Sequence, residues 1–237
     1  MGHQDPLSPL LGCRGEGSEG AKTSSFHRRF LMAARGLLFL LAAFVAACGA
    51  GVTPTDDPGA PYAGTRLNGT APDFQLLDQA GAVVGWRDFQ GKVVALTFLD
   101  SRCRDVCPLT SAELIAAWLG LTAEEREAVA FLGINANPEA NSVEDVATAS
   151  REWRLAEIPA WRFLTGAPDD LKAIWDAYPI EVQPGPDGAI DHTSGIFLID
   201  SAGSLRWYVS VPLQDPAWSG PRLAEILLRR LKELIEE

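Results

Sequence analysis

The spacing of apolar and polar positions predicts strands that alternate with helices. Nearly unbroken apolar, β-branched-rich runs are typical of strands buried on both faces, and such runs occupy 92–99, 128–136 and 161–166. Segments with helical periodicity follow each of them, at 112–121, 142–153 and 168–178. We place the first helix start at Thr110, where Thr110 to Glu113 has capping-box spacing. This alternation predicts a largely parallel sheet.

Both ends of this unit carry further elements. Two short strand-like runs around Asp78–Gly81 predict a hairpin before the first buried strand. Runs at 195–200 and 204–210 predict an antiparallel pair, and 221–237 forms an amphipathic helix with one apolar stripe that we assign to the core, Leu223, Leu227, Leu231 and Leu234. The element order predicts an α/β, thioredoxin-like fold with an N-terminal β-hairpin extension.

The N-terminal region has the pattern of an export signal. A basic flank precedes an apolar stretch that is short for a membrane span, and small residues end at Cys48. We therefore expect residues 1–31 to be a non-structural extension or mis-assigned start, 32–47 to be a lipoprotein signal peptide, and Cys48 to be lipidated. An uncleaved membrane anchor is the alternative. The Gly/Pro-rich range 48–70 predicts a flexible tether, and 71–237 the folded domain, held on the extracytoplasmic face of a bacterial membrane.

The charge narrows the choice of partners. The chain has 20 Lys and Arg against 31 Asp and Glu, a formal net charge of −11. Such a surface excludes nucleic acid as an expected partner and suits cations, including metal ions. An acidic surface that serves only solubility is the simpler interpretation.

The segment "DSRCRDVCPLT" (100–110) holds Cys103 and Cys107 where a helix is expected to begin. A disulfide between them would close a loop of about five residues, and the chain-entropy estimate gives it only about 2 kcal/mol of stabilisation. The free N–H groups of a helix start favour a thiolate, and Pro108 is tolerated in a first turn. These features favour a functional, redox-active dithiol over a structural staple.

A third donor would complete a metal site. Two thiolates are soft ligands that select Cu(I), whereas a closed zinc site needs more donors. The only histidine beyond residue 47 is His192, in a Gly/Pro/Asp-rich segment before a predicted strand. In a thioredoxin-like fold the loop entering this strand lies beside the cysteine motif. We expect His192 to be a ligand and Asp191 to be an acceptor that orients its imidazole.

The sequence from about Ala71 onward resembles the Sco/SenC family of membrane-tethered copper chaperones for the CuA centre of cytochrome c oxidase. The resemblance rests on "APDFQLLDQAGAVV", "GKVVALTFLDSRCRDVCPLTSAEL", "FLGINANPEANSVEDV", "WRFLTG" and "DHTSGIFLID". By this match Cys103, Cys107 and His192 correspond to the family's copper ligands. The sequence departs from the family pattern at Arg104 (commonly proline), at 135–137 (usually Ser-Val-Asp) and at Thr193 (usually serine).

Two functions are consistent with these residues. The first is a metallochaperone that passes copper from Cys103, Cys107 and His192 to the CuA-bearing oxidase subunit, directly or with another periplasmic copper carrier or thiol reductase. The second is an extracytoplasmic thiol–disulfide oxidoreductase that uses the two cysteines alone to keep target cysteines reduced. The CxxxC spacing and "DHTSG" in place of a cis-proline segment favour copper. A peroxiredoxin-like peroxidase is disfavoured, because the Thr-x-x-Cys setting of its nucleophile is missing.

Overall fold

A six-stranded sheet forms the centre of the domain. In the computed structural model its strand order is β1-β10-β9-β4-β5-β6. Its members are β1 (Thr65–Arg66), β4 (Val93–Leu99), β5 (Val129–Asn135), β6 (Trp161–Leu164), β9 (Ile196–Ile199) and β10 (Leu205–Val209). Strands β4, β5 and β6 are parallel, while β9 runs antiparallel to β4 and to β10. Every residue of β4 and β5 is buried, as their apolar sequences predict.

Within the described residues, five α-helices and two small hairpins surround this sheet. The helices are α1 (Val106–Leu119), α2 (Ala123–Glu127), α3 (Val143–Glu152), α4 (Pro168–Ala177) and α5 (Leu223–Ile235). The hairpins are β2 (Gln75–Leu77) with β3 (Val83–Gly85), and β7 (Val182–Pro184) with β8 (Ile190–His192). The structure describes residues 64–185, 190–210 and 212–237. The predicted extension, the signal peptide and Cys48 therefore lie outside the described residues.

The two faces of β4 supply two separate cores, because successive side chains of a strand point to opposite faces. Val93, Ala95 and Leu99 pack with α1, α3 and α5. Val94, Leu96 and Phe98 pack with α4 and the β2–β3 hairpin. The predicted apolar stripe of α5 is confirmed as core, since its four leucines are at most 4% exposed.

The structure confirms the predicted α/β class and element order but moves three boundaries. Helix α1 begins at Val106, so Cys107 and Pro108 lie in its first turn as the cysteine motif predicts, whereas Thr110 does not mark its start. The hydroxyls of Thr110 and Ser111 donate to carbonyls one turn back within the helix, Val106 O and Cys107 O, instead of capping it. Strand β1 lies inside the range predicted as tether, because Thr65–Arg66 pairs with β10. The segment around His192, predicted as a loop, ends in strand β8.

In the part of the chain that the structure describes, no helix is both long and apolar enough to cross a bilayer.

Candidate metal and dithiol site

The first cysteine acts as a cap for the helix that contains the second. Strand β4 ends at Leu99, and Asp105 occupies the N-cap position of α1. The backbone N–H of Cys107, in the first turn, donates to the Cys103 sulfur at 3.3 Å. Because the first N–H groups of a helix have no partner within it, the sulfur satisfies one of them. This arrangement favours a thiolate at Cys103.

The two sulfurs differ in exposure and in acidity. Cys103 is partly exposed and Cys107 is 1% exposed, and both are free thiols. A hydrogen bond from the Cys107 thiol lowers the pKa of Cys103, although Asp105 opposes this effect by accepting from the protonated Cys103 thiol at 3.0 Å. The same sulfur–sulfur hydrogen bond, together with burial, raises the pKa of Cys107. Cys103 is thus the accessible, more acidic thiol and Cys107 the protected one.

A buried polar network supports the cysteine loop from below. The Asp100 carboxylate accepts from the Arg102 backbone N–H at 2.8 Å and from the Asn137 side-chain amide at 2.7 Å. Asp100 and Asn137 are 4% and 2% exposed. Asn135 accepts from the Ser101 N–H at 3.3 Å. Two consecutive strand ends are thereby joined, and we did not single out Asp100 from the sequence. The sequence signal that could have identified Asp100 is its position as a charged residue directly after an apolar strand.

His192 reaches the site from the β7–β8 hairpin. It is the last residue of β8 and pairs with Val182. Its Nδ1 lies 3.0 Å from the Thr193 carbonyl oxygen. The group beside this nitrogen is therefore the Thr193 carbonyl, while the orienting role of Asp191, which lines the same cleft, stays a prediction. A proton on Nδ1 leaves the Nε2 lone pair for a metal ion.

The segment after His192 is held by the adjacent strands. The Tyr208 hydroxyl of β10 donates to the Ser194 carbonyl at 2.6 Å. The Thr97 hydroxyl of β4 donates to the Gly195 carbonyl at 2.9 Å. A Cβ at Gly195 would lie only 2.4 Å from the Tyr208 ring, so glycine permits this close approach. The sheet thus fixes one end of the segment that carries the imidazole.

Cys103 and His192 line the same open cleft, of about 700 Å³. Asp100, Asp105 and Asp191 also line it. Among the described residues no three His, Cys, Asp or Glu side chains converge closely enough to hold a metal ion. The structure therefore brings the two predicted sulfurs together and places the predicted imidazole in the cleft that Cys103 lines, but not within a preformed three-donor cluster.

Comparison with known proteins assigns the chain to a family. The profile of the SCO1/SenC family matches residues 63–217. SenC of Rhodobacter capsulatus is 31% identical over 142 residues, which cover 57% of this chain and 61% of that protein. The chain spans between 49% and 70% of the length of the curated relatives it matches.

Solved structures confirm the thioredoxin-like fold predicted from the sequence. Apo Sco1 from Thermus thermophilus is 27% identical with a TM-score of 0.56, and the match covers 73% of this chain and 96% of that one. Copper-bound ScoI of Arabidopsis thaliana is 21% identical with a TM-score of 0.58, covering 71% of this chain and 100% of that one. The family profile accounts for well over half of the sequence, and the chain belongs to the SCO1/SenC family.

Proposed function

We propose that this protein is a copper chaperone whose ligands are Cys103, Cys107 and His192. The observation that carries the proposal is the shared cleft: an accessible thiol, which accepts a hydrogen bond from the backbone N–H of the second cysteine, faces the same opening as an imidazole. Two sulfurs and one imidazole suit Cu(I), and the imidazole also suits Cu(II). The donor set therefore fits copper as cargo.

Loading would require a movement of the histidine, because the described residues hold no preformed cluster of three donors. The two sulfurs belong to one helix start, whereas His192 stands on a separate hairpin. Copper bound by the sulfurs would draw the β7–β8 hairpin across the cleft and bring Nε2 into the coordination shell. Release to a partner would reverse this movement. A site with one mobile ligand is suited to ligand exchange, in which the partner's donors replace those of the chaperone one at a time.

The acceptor that we propose is the CuA-bearing subunit of cytochrome c oxidase, as the Sco/SenC resemblance implies. The copper bound to Arabidopsis ScoI accords with this cargo. We further propose that the domain is tethered by a lipid on Cys48 to the extracytoplasmic face of the bacterial membrane. Replacing Cys48 with serine should release or mislocalise the protein. Unaltered membrane retention without processing would favour a transmembrane anchor instead.

Metal titration of the reduced domain tests the ligand set. We expect one equivalent of Cu(I), with protons released as the thiols bind. Cys103→Ser and Cys107→Ser should each weaken binding drastically, and His192→Ala should weaken Cu(II) binding most. Ser194→Ala is a matched control, because this residue lines the same cleft but its side chain has no predicted role in copper binding. Stoichiometric, tight binding in either serine variant would exclude this site.

A second function is favoured by the unequal acidity of the two thiols. A lowered pKa at exposed Cys103 and a raised pKa at buried Cys107 are what a nucleophilic and a resolving thiol require. We therefore retain thiol–disulfide exchange with the oxidase cysteines as the alternative. His192→Ala discriminates between the two functions, because exchange needs only sulfur. Normal CuA assembly by this variant at limiting copper, with assembly lost in Cys103→Ser, would favour the oxidoreductase.

A further inference from the structure

Two arginines frame the sulfur that a partner must reach. Arg102 and Arg104 are the chain neighbours of Cys103, so their Cα atoms lie about 3.8 Å from its own. Both line the cleft shared with His192, and both line a second, smaller cleft on the α3 side of the loop. Since Cys107 is buried, a molecule that exchanges ligands or disulfides here meets Cys103 first. Its approach brings it against both guanidinium groups.

The two arginines are positively charged groups on a protein whose formal net charge is −11. Arg102 is 3.7 Å from Asp145, and its side chain remains 59% exposed. Arg104 is exposed and makes no ion pair or hydrogen bond within the described part of the chain. Its guanidinium therefore offers five free donors in a planar fork that fits a carboxylate.

The negative groups in the cleft do not neutralise this pair completely. Asp105 is engaged with the Val106 N–H and the Cys103 thiol. Asp100 lies beneath the loop, hydrogen-bonded to Asn137. Asp191 is exposed, but it belongs to strand β8, across the cleft from the cysteine loop. The second cleft is also lined by Glu144, Asp145 and Glu152, and Arg102 is paired with Asp145, so the guanidinium beside Cys103 that keeps no charged partner in the described residues is that of Arg104.

We infer that Arg102 and Arg104 form a basic rim that orients a partner protein carrying carboxylates around its own copper-binding cysteines. The inference rests on the proposed function for the choice of Cys103 as the sulfur that meets the partner and for the copper-binding cysteines of that partner. Opposite charges on two proteins attract each other when they approach within the Debye length, about 8 Å at physiological salt. The rim would therefore favour the one orientation in which the two sets of cysteines face each other.

Charged small disulfides test the rim without copper. The Cys103 thiolate attacks one sulfur of the probe, the probe's S–S bond breaks, and a mixed disulfide and one free thiolate are formed. We would compare the first-phase rates of reduced protein with the dianion 5,5′-dithiobis(2-nitrobenzoate) and the dication cystamine. Unit charges about 7 Å apart in water alter a rate about threefold. Arg102→Ala and Arg104→Ala should each slow the anionic probe by about this factor and accelerate the cationic one.

Arg87→Ala is the matched control, because Arg87 is exposed and contributes to neither of the two clefts beside Cys103. An equal effect of Arg87→Ala, or no effect of the rim variants, would overturn the rim. The soluble CuA domain then tests the partner class: at low salt its exchange should be slower with the double arginine variant than with wild type, and this difference should shrink as salt is raised. A rim that responds to small anions but not to this protein would assign it to a small anionic thiol and refute a protein partner. Copper stoichiometry, measured on the same variants, tests the ligand set separately.

Discussion

Gly195→Ala should destabilise the domain at the point where His192 is held. The new Cβ would lie 2.4 Å from both Cζ and Oη of Tyr208, whereas carbon atoms in good contact are about 3.5–4.0 Å apart. Relief requires movement of the ring or of the segment. Tyr208 packs on Phe197, with ring centroids 5.0 Å apart, and its hydroxyl is bonded to Ser194. Either movement breaks a contact that positions the imidazole.

The magnitude follows from two terms. Inserting a methyl group into packed surroundings costs about 1–3 kcal/mol. The backbone adds a second penalty, because φ at Gly195 is +157°, a value that residues with a Cβ adopt only with strain of about 1–3 kcal/mol. The sum, about 2–6 kcal/mol, is a substantial part of the total stability of a domain, about 5–15 kcal/mol.

Gly81→Ala separates the two terms. Gly81 has φ +80° and no atom within 4 Å of its virtual Cβ, so only the backbone penalty applies. Urea denaturation should show Gly195→Ala to be less stable than Gly81→Ala by about 1–3 kcal/mol. In thermal melts this difference amounts to at least about 2 °C. In a Tyr208→Ala background the difference should disappear. Equal stability of the two glycine variants with Tyr208 present would refute the steric argument.

Three further outcomes follow from the site. At neutral pH iodoacetamide should modify Cys103 well before Cys107. The rate of Cys103 modification should rise with pH through a midpoint below the ordinary thiol pKa, since the thiolate reacts and the pKa of Cys103 is lowered. Peptide mass spectrometry that shows Cys107 modified first would contradict this. Tyr208→Phe should lower the free energy of unfolding by at most about 1.5 kcal/mol but alter the Cu(II) absorption and EPR spectra. Tyr178→Phe is the control: it removes a buried hydroxyl that has no hydrogen-bond partner in the described residues, and it should leave the spectra unchanged. Glu113→Gln should destabilise the domain by about 1 kcal/mol, because the Glu113 carboxylate accepts from the Ala224 N–H at 2.8 Å at the start of α5. Urea denaturation measures this loss. An equal loss in Glu124→Gln, at an exposed position, would argue against this role.

The strands could be predicted because their burial is uniform. All seven residues of β4 and of β5 are buried, so almost every position reports the same environment and periodicity is not needed to recognise them. The sequence offers two signals for the start of α1. The cysteine pair with Pro108 predicts a first turn at these residues, and the capping-box spacing predicts a later start at Thr110. Thr110 with Glu113 has capping-box spacing, but Glu113 instead accepts from the Ala224 N–H of α5. That partner is 111 residues away, and local spacing cannot reveal it.

The edges of the domain depend on pairings that sequence patterns do not encode. Thr65–Arg66 contains no apolar residue, and it forms a strand because β10 offers an open edge. Arg66 then covers the Trp207 ring, with its guanidinium carbon 4.6 Å from the ring centroid. A two-residue polar strand has neither the length nor the alternation that would separate it from a linker. The sequence alone therefore assigns Thr65–Arg66 to the tether.

The cysteine pair and the histidine illustrate the same limit at the site. Cys103 and Cys107 lie within one helix start, so local geometry is enough to bring them into contact: the Cys107 N–H donates to the Cys103 sulfur, and the two thiols are hydrogen-bonded. His192 reaches the same cleft through a different element, 85 residues beyond Cys107 in the chain. Whether it binds the ion depends on the β7–β8 hairpin, on the Thr193 carbonyl that sets the free nitrogen, and on the Tyr208 and Thr97 bonds that hold the next two residues. A chaperone must also release its cargo, and a ligand that is held nearby but not preassembled serves both binding and transfer.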